Sequence, residues 1–262
     1  MDLQLTGKCA IVTGGSRGIG FAVAEALAAE GVRVALVARG EAALKDAAAR
    51  IGGDAVGVVA DTGSDEAVQA MVAAVVEQFG GVDILVNAAA RAATPGQQPA
   101  AASVPDDAVR SELEIKLLGY LRCARAVAPH MVAQGWGRIV NISGLNARSS
   151  RSLAGSVRNV AVASMTSALA DDLGPKGVNV TVVHPGLTVT ERTPAMIAAH
   201  AAARGISEAA AAAEFGSSTT VGRMITAAEV ADVVTFLASP RSVAINGDAV
   251  AAGGGVPGVT YY

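Results

Sequence analysis

Short apolar runs rich in Val and Ile alternate with longer Ala-rich segments along most of this 262-residue chain. The apolar runs contain few polar residues, which is typical of strands buried on both faces of a sheet, and the segments between them carry charges at helical spacing. This alternation predicts a doubly wound α/β fold, in which right-handed crossovers join parallel strands and helices cover both faces. Strands are predicted at residues 9–13, 33–38, 55–60, 83–87, 138–142, 179–183 and 244–251. Helices are predicted at residues 19–29, 41–51, 65–79, 106–134 (with a kink at Pro129), 160–173 and 227–238.

The chain length fits a single α/β domain that spans residues 1–262. The strand–helix rhythm breaks at residues 191–220, which are Ala-rich and contain Gly205. We interpret this segment as an insertion over the carboxyl edge of the sheet, where a mobile lid would cover a ligand. A pair of surface helices without a role in binding is the alternative.

Composition excludes several classes of protein. Charged residues make up 16% of the chain and hydrophobic residues 52%, which excludes a disordered protein, and the formal charge of −3 gives no general attraction to nucleic acid or to an anionic membrane. Cys9 and Cys123 form no Cys-x-x-Cys pair, and His130 and His200 have no partners at metal spacing, so neither a disulfide framework nor a metal site is predicted. No secretory signal and no apolar span of about 18 residues is visible, and we expect a cytoplasmic protein.

The first predicted strand runs directly into a glycine-rich turn at residues 13–20 (TGGSRGIG), and a helix follows. A glycine pattern in this place is typical of the dinucleotide site of a Rossmann-type sheet. Gly14 permits the tight turn, Gly18 lets the backbone approach a pyrophosphate, and Gly20 lets the helix pack closely on the strand. The free amides and the positive dipole end of the helix would bind the phosphates. The predicted cofactor contacts in this turn are Gly14, Ser16, Arg17, Gly18, Ile19 and Gly20.

The end of the second strand indicates which nicotinamide cofactor binds. A carboxylate there would hold the ribose hydroxyls of NAD(H), but this strand ends in Val37, Ala38 and Arg39. Arg17 and Arg39 would instead clamp a 2′-phosphate, because the planar guanidinium matches phosphate oxygens. We therefore expect NADP(H) in preference to NAD(H).

With these features in place, the chain resembles the short-chain dehydrogenase/reductase family over nearly its whole length. The glycine turn has that family's Gly-x-x-x-Gly-x-Gly spacing, and residues 87–90 (NAAA) are similar to its Asn-Asn-Ala-Gly signature. Residues 137–143 (GRIVNIS) resemble the strand that leads to its catalytic serine, and residues 185–190 (PGLTVT) resemble its Pro-Gly-x-x-x-Thr turn beside the nicotinamide. The resemblance implies further cofactor contacts from Asp61, Thr62, Asn87, Ala88, Pro185, Gly186, Thr188 and Thr190.

The resemblance also implies a catalytic relay of Asn, Ser, Tyr and Lys, and this sequence departs from that relay at every position. Gly155 stands at the tyrosine position, and Asn159 stands at the lysine position four residues later. Gly144 stands at the serine position, although a shift of one residue would let Ser143 serve. Lys116 stands at the asparagine position. A neighbouring ammonium normally makes the phenol an effective acid at neutral pH, so here another group has to supply the proton.

No shift of the alignment restores the tyrosine, because the chain has only three tyrosines, at positions 120, 261 and 262. Tyr120 lies four residues after Lys116 on one helical face, but we interpret the two as surface residues without a shared role. Tyr261 and Tyr262 would reach a site only if the carboxyl-terminal tail packs across a subunit interface. His184 is interpreted as a hydrogen-bonded structural residue.

The polar loop at residues 144–155 contains Asn146, Arg148 and Arg151. In the family the equivalent loop lines the substrate pocket, so these side chains predict a site for a polar or anionic small molecule. A solvated polar loop is the alternative.

Three functions are compatible with the sequence. The first is an NADP(H)-dependent oxidoreductase that acts on a small-molecule carbonyl or alcohol through non-standard groups, namely Lys116, Ser143 or a water beside Asn159. The second is a dinucleotide-binding protein without redox activity, acting as a sensor, scaffold or partner subunit. The third is a non-redox enzyme, such as a lyase or cyclase, that uses the vacated pocket. The helices at residues 106–134 and 155–173 also resemble those that pair subunits in the family, so a homodimer or homotetramer is expected.

Overall fold

The computed structural model describes residues 1–90, 99–150 and 152–260. The strands of the main sheet are β1 (Cys9–Thr13), β2 (Arg33–Ala38), β3 (Val56–Val59), β4 (Ile84–Asn87), β5 (Gly137–Ile142), β6 (Val178–Pro185) and β9 (Ala249–Ala252). They pair in parallel in the order β3-β2-β1-β4-β5-β6-β9. From β1 the chain moves outward to β2 and β3 and then returns to β4 on the other side of β1. The sheet is therefore doubly wound, as the alternation predicts.

Helices cover both faces of this sheet. They are α1 (Gly18–Ala29), α2 (Glu41–Ile51), α3 (Asp65–Phe79), α4 (Asp106–Glu112), α5 (Gly119–Gln134), α6 (Leu153–Leu173), α7 (Thr193–Arg204), α8 (Glu208–Ser217) and α9 (Ala227–Leu237). A separate short parallel pair consists of β7 (Thr188–Val189) and β8 (Ile225–Thr226). None of the helices within the described ranges combines the length and apolarity that a bilayer crossing requires.

Successive residues of a strand contribute to separate cores on the two faces of the sheet. Val12 packs in one cluster with Leu27 of α1, and its neighbour Ile11 packs in another with Val75 of α3. All of these are fully buried, as is Val12's partner Leu36 in β2. The period of two along each strand explains the division, because adjacent side chains point to opposite faces.

The burial of β3 and the start of α6 differ from the sequence-based expectation. Burial on both faces is wrong for β3, whose residues alternate between half-buried and exposed because β3 is an edge strand. Helix α6 begins at Leu153, earlier than the predicted start at Val160, because Ser152 caps its first turn by accepting a hydrogen bond from the Gly155 amide. The predicted end of the helix that contains Pro129 is confirmed, because α5 continues to Gln134.

The break in rhythm at residues 191–220 contains two helices, α7 and α8. Gly205 ends α7 in the left-handed conformation, with φ of 64°. The pair is joined by His200 Nε2 and Glu214 Oε2 at 2.8 Å. The segment therefore forms a helical hairpin that follows directly on β7.

Candidate active site

A groove of about 670 Å³ runs along the carboxyl edge of the sheet, where β1 and β4 lie side by side. The chain leaves these two strands in opposite directions, so a crevice opens between the segments that follow them. Most of the predicted cofactor residues line this groove: Gly14, Ser16, Arg17, Gly18, Ile19, Gly20, Arg39, Asp61, Thr62, Ala88, Thr188 and Thr190.

Three predicted cofactor residues lie outside the lining of the groove. Asn87 is fully buried and donates from Nδ2 to Asn141 Oδ1 at 2.9 Å, which ties β4 to β5. Pro185 is the buried last residue of β6, and Gly186 packs so closely that a Cβ there would lie 3.0 Å from Gly253 Cα. These residues shape the strand ends beneath the groove.

The glycine turn leaves the amino terminus of α1 bare. At Gly14, which has φ of 67°, a Cβ would lie 2.8 Å from the carbonyl oxygen of Ala88, and at Gly20 it would lie 2.3 Å from Gly14 O. Any side chain at these two positions would therefore force the turn away from its neighbours. Gly18 differs, because the nearest atom to a Cβ there is Thr190 Cγ2 at 3.7 Å. The open face at Gly18, together with the free amides of the helix, matches the requirements of a phosphate site.

One end of the groove carries two guanidinium groups. Arg17 and Arg39 are both exposed and line the groove, and within the described ranges neither is in an ion pair. Asp61, in the same groove, accepts a hydrogen bond from the Gly63 amide at 2.9 Å. Arg17 and Arg39 are thus available to an anionic ligand.

The three predicted catalytic residues meet in one hydrogen-bonded cluster at the other end of the groove. Lys116 Nζ donates to the carbonyl oxygen of Ser143 at 2.8 Å and to Asn159 Oδ1 at 3.1 Å. Ser143 Oγ donates to the backbone carbonyl of Asn159 at 3.1 Å. Lys116 is only 4% exposed, yet it and Ser143 both line the groove. The fold thus places the amine of Lys116, which comes from the helical segment before α5, against the end of β5 and against α6.

A π-helical turn at Leu113–Leu118, between α4 and α5, carries Lys116. The sequence predicted a continuous α-helix from residue 106 up to the kink expected at Pro129, so this turn is a correction. One additional residue in a turn rotates the following side chains by roughly 100° relative to the preceding ones, and such turns are frequent at functional sites. Nothing in the local sequence pattern signals it.

Burial changes the acid–base properties of Lys116. Loss of solvation and, to a smaller extent, the Arg158 guanidinium lower the pKa of its ammonium to about 7, against the opposing effect of the Glu112 carboxylate. Near neutral pH the protonated and neutral forms are therefore both populated. Two N–H groups donate to the two observed acceptors, so the remaining position on nitrogen carries either a proton or a lone pair. Such an amine can donate or accept a proton at neutral pH.

The interpretation of Lys116 and Tyr120 as surface residues is wrong. Tyr120 is 1% exposed, and its hydroxyl donates to the carbonyl oxygen of Ile142 at 3.0 Å. Burial raises the pKa of the phenol far above its usual range, so Tyr120 is not a proton donor at neutral pH. Tyr120 and Lys116 share a structural role, because they donate to the consecutive carbonyls of Ile142 and Ser143, respectively.

Glycines occupy both positions that match the hydroxyl-bearing residues of the relay. A Cβ at Gly155 would lie 2.9 Å from Ser152 Oγ, which caps α6, and a Cβ at Gly144 would lie 3.0 Å from Asn159 Nδ2. A side chain at either position therefore requires its neighbours to move. Where the family has a phenol, the described lining of the groove presents the amine of Lys116.

His184 lies beneath the loop that follows β5. Its Nδ1 accepts a hydrogen bond from the Gly144 amide at 3.3 Å, and burial, helped by the charges of Arg148 and Lys116, lowers its pKa to about 4. The ring is neutral at pH 7 and orients the loop, in agreement with the structural role expected for it. The loop itself contains a single-turn helix, Leu145–Arg148.

Some predicted features fall beyond the structure. Arg151, Tyr261 and Tyr262 lie outside the described residues. In the part of the chain that the structure does describe, no group of three or more His, Cys, Asp or Glu side chains is arranged to hold a metal ion.

Comparison with known proteins shows which chains this one is similar to. The family profile described as short chain dehydrogenase matches residues 8–201. The short-chain reductase protein NovJ of Streptomyces niveus is 38% identical over 252 residues, which cover 95% of this chain and 93% of NovJ. A single-residue variant of the actinorhodin polyketide ketoreductase, solved with NADPH, is 32% identical with a TM-score of 0.87 over 96% of this chain and 98% of its own. The 3-ketoacyl-(acyl-carrier-protein) reductase of Brucella melitensis, solved with NADH, is 28% identical with a TM-score of 0.84 over 96% and 99% of the two chains.

Proposed function

Because the chain belongs to the short-chain dehydrogenase/reductase family, we propose that it is an NADP(H)-dependent oxidoreductase that reduces a carbonyl group or oxidises the corresponding alcohol. The position of Lys116 carries this proposal. Its amine lines the same groove as the bare amino terminus of α1, so a nucleotide site and a proton-transfer group share one cavity. That combination is what hydride transfer to a carbonyl requires.

The groove fits a dinucleotide along its length. In this proposal the first amides of α1 hold the pyrophosphate, Asp61 and Thr62 lie beside the adenosine, and Thr188 and Thr190 lie beside the nicotinamide. When bound, the nicotinamide supplies the hydride in reduction and accepts it in oxidation.

The preference for NADP(H) over NAD(H) rests on Arg17 and Arg39. Similar structures contain NADPH in one case and NADH in another, so the similarity alone does not choose between the two cofactors. Here two exposed guanidinium groups line the groove, and no carboxylate follows β2 directly. This charge favours a ribose that carries a 2′-phosphate.

Lys116 is the proposed proton donor. In reduction its ammonium gives a proton to the oxygen of the carbonyl as that oxygen becomes an alkoxide, and in oxidation its amine takes the proton back. Ser143 and Asn159 hold the nitrogen in place through their acceptor oxygens. Because those two bonds fix the amine without using its third position, they position the group and leave that position for the transferred proton.

The proposed substrate is a ketone, with 3-ketoacyl thioesters as the first candidates. Two of the similar structures are named as a polyketide ketoreductase and a 3-ketoacyl-(acyl-carrier-protein) reductase. The polar loop after β5 supports a substrate with hydrogen-bonding groups beside the ketone.

The test combines binding with turnover. NADPH is titrated into the purified protein and followed by nicotinamide fluorescence, and loss of the reduced-nicotinamide absorbance is then measured with a panel of 3-ketoacyl thioesters and simple ketones. We expect saturable binding and turnover that Lys116→Met abolishes. Absence of NADPH binding contradicts the proposal, and turnover that survives in Lys116→Met contradicts the role of the amine.

A second candidate function is a dinucleotide-binding partner subunit without redox activity. The contacts around Gly144 and Gly155 favour it, because no hydroxyl lies at either position and Ser143 directs its own hydroxyl proton to the backbone of α6. NADPH binding with no turnover on any ketone, between pH 5 and pH 9, supports this candidate over the first. The pH range is chosen to span about two units on each side of the pKa of Lys116.

We also propose that subunits pair through an apolar stripe at the start of α6. Leu153, Val157 and Val160 are spaced along one side of this helix and are 40%, 40% and 51% exposed, and Leu118 nearby is 37% exposed. Apolar side chains grouped in this way are typical of an interface. A homodimer or homotetramer would bury them.

The helical hairpin at residues 191–220 is proposed to close over the groove when the cofactor binds. Arg192, immediately before α7, lines the groove beside Thr190, so movement of the hairpin would change the entrance. Slower amide hydrogen exchange in α7 on addition of NADPH is the expected result, and unchanged exchange contradicts it.

A further inference from the structure

An ion pair joins the two elements that bring Lys116 and Asn159 together. Arg158 Nη1 donates to Glu112 Oε2 between α6 and α4. Glu112 is the last residue of α4, directly before the π-helical turn that carries Lys116, and Arg158 directly precedes Asn159 on α6. The ion pair therefore braces the contact between the amine and its amide acceptor.

This ion pair is largely withdrawn from solvent. The side chains of Arg158 and Glu112 are 17% and 24% exposed, and Arg158 Nε is buried with no hydrogen-bond partner among the described residues. Charged pairs in such a place are often less favourable than apolar side chains of the same size. A costly pair beside a proton-transfer amine therefore points to a role beyond holding two helices together.

Both charges of the pair act on the Lys116 amine, in opposite directions. Besides burial, the Arg158 guanidinium lowers the pKa of Lys116 and the Glu112 carboxylate raises it. Among the described residues, the titratable groups that approach from other elements are neutral at pH 7. His184 on β6 has a pKa of about 4, and burial raises the pKa of the Tyr120 phenol on α5. The ion pair thus supplies the charges that face the amine at neutral pH.

We propose that Glu112 and Arg158 are positioning residues that set whether Lys116 holds a proton when a substrate arrives, with Glu112 favouring the ammonium and Arg158 the neutral amine. This inference rests on the proposed role of Lys116 as proton donor. It requires the two residues to have opposite effects on the pH dependence, although they form one ion pair. A purely structural role requires the two substitutions to act alike.

The test compares the full-length variants Glu112→Gln, Arg158→Gln and Glu112→Gln/Arg158→Gln. In carbonyl reduction, the activity of the parent falls as pH rises through the pKa of Lys116. We expect Glu112→Gln to move this fall to lower pH by about one unit and Arg158→Gln to move it to higher pH by about one unit, with the double variant near the parent; one unit is a tenfold change in the ratio of the two forms. Shifts in the same direction, or no shift, overturn the proposal.

A second readout does not depend on turnover. The chain has only four lysines, at positions 8, 45, 116 and 176, so acetylation by acetic anhydride at a series of pH values, mapped by peptide mass, reports Lys116 against three references. The pH midpoint for acetylation of Lys116 should move in the same two directions as the pH dependence of turnover.

The labelling also separates this inference from the reductase proposal. Shifts in labelling without turnover in any variant uphold this inference and contradict the reductase proposal. Turnover with unshifted labelling contradicts this inference alone. If thermal melting shows that Glu112→Gln does not fold, Glu112→Asp replaces it and should shift the midpoint in the same direction by less.

Discussion

Lys116 Nζ lies 3.1 Å from Asn159 Oδ1, and we interpret this contact as the Lys and Asn of the family's relay with their places exchanged. The cation now comes from the π-helical turn before α5, and the amide comes from α6. The exchange keeps an ammonium and an amide in contact at the end of β5. It also explains how one cluster can persist although each of its positions departs from the family pattern.

Removal of the amine should abolish reduction and leave cofactor binding intact. Lys116→Met keeps most of the side-chain volume but has no proton to donate, so we expect kcat for ketone reduction to fall by at least about 100-fold, within the usual range for a lost general acid. The Kd for NADPH should change by less than about twofold, because the phosphate site lies at α1. Lys116→Arg is the matched control: it keeps the charge, but with a pKa too high for proton transfer, and should be equally inactive.

The buried amine should make stability rise with pH just above neutrality. The pKa of Lys116 is about 7 in the folded protein and about 10.4 in the unfolded chain, so between these values the unfolded state binds more protons and the free energy of unfolding increases with pH. Cys123 acts in the opposite direction above pH ~8.5, because its folded pKa is raised to about 12. Urea unfolding from pH 6.5 to pH 8.5 should therefore show a rising free energy in the parent and a flatter profile in Lys116→Met. Parallel profiles would contradict the low pKa.

Loss of an arginine at the adenosine end should weaken NADPH selectively. In Arg39→Ala we expect the Kd for NADPH to rise about tenfold, because the loss of one charge-assisted hydrogen-bond pair costs roughly 1.5 kcal/mol. The Kd for NADH should stay within about twofold of the value for the parent. Fluorescence titration with both cofactors measures this. An equal loss for both cofactors would show that Arg39 does not contact the 2′-phosphate.

Restoring the family's tyrosine and lysine should fail unless Lys116 is also changed. In Gly155→Tyr/Asn159→Lys, a second ammonium would replace the amide that Lys116 contacts at 3.1 Å, and two buried like charges oppose each other. We expect this double variant to melt at a lower temperature than the parent and to lose the ketone reduction of the parent. Adding Lys116→Asn and Gly144→Ser completes the relay and should give ketone reduction that falls as pH rises through the pKa of the introduced tyrosine. Equal activity of the double and quadruple variants falsifies the interpretation that Lys116 and Asn159 have exchanged the places of the relay's Lys and Asn.

Charge on the apolar stripe of α6 should dissociate subunits. Val160 is 51% exposed, so Val160→Glu is expected to shift the mass in light scattering towards the monomer without changing the melting profile at low concentration. Val221→Glu, at a similarly exposed position of 55% away from this helix, serves as the control and should keep the parent mass.

The fold and the nucleotide end of the groove were accessible from sequence because their determinants are local. The Val-rich and Ile-rich runs around Ile11 and Val86 are short and continuous, and they become strands covered on both faces. Gly14 and Gly20 are required by contacts within the turn itself and with the neighbouring strand end. The edge exposure of β3 could not be inferred in the same way, since its composition matches that of the interior strands and only its place in the sheet exposes it.

The sequence by itself determined that no tyrosine lies in the segment where the family keeps its catalytic one, because a count of three tyrosines, at positions 120, 261 and 262, does not depend on any alignment. The tertiary structure decided which side chains meet in that region. Residues 43 apart in the chain meet at Lys116 and Asn159, a π-helical turn directs the amine, and Tyr120 proves to be buried instead of exposed. The pKa of Lys116 is set by burial and by the charges of the Glu112–Arg158 pair, and only the assembled fold creates both. Desolvation and charge proximity are properties of the folded environment and not of a residue's identity.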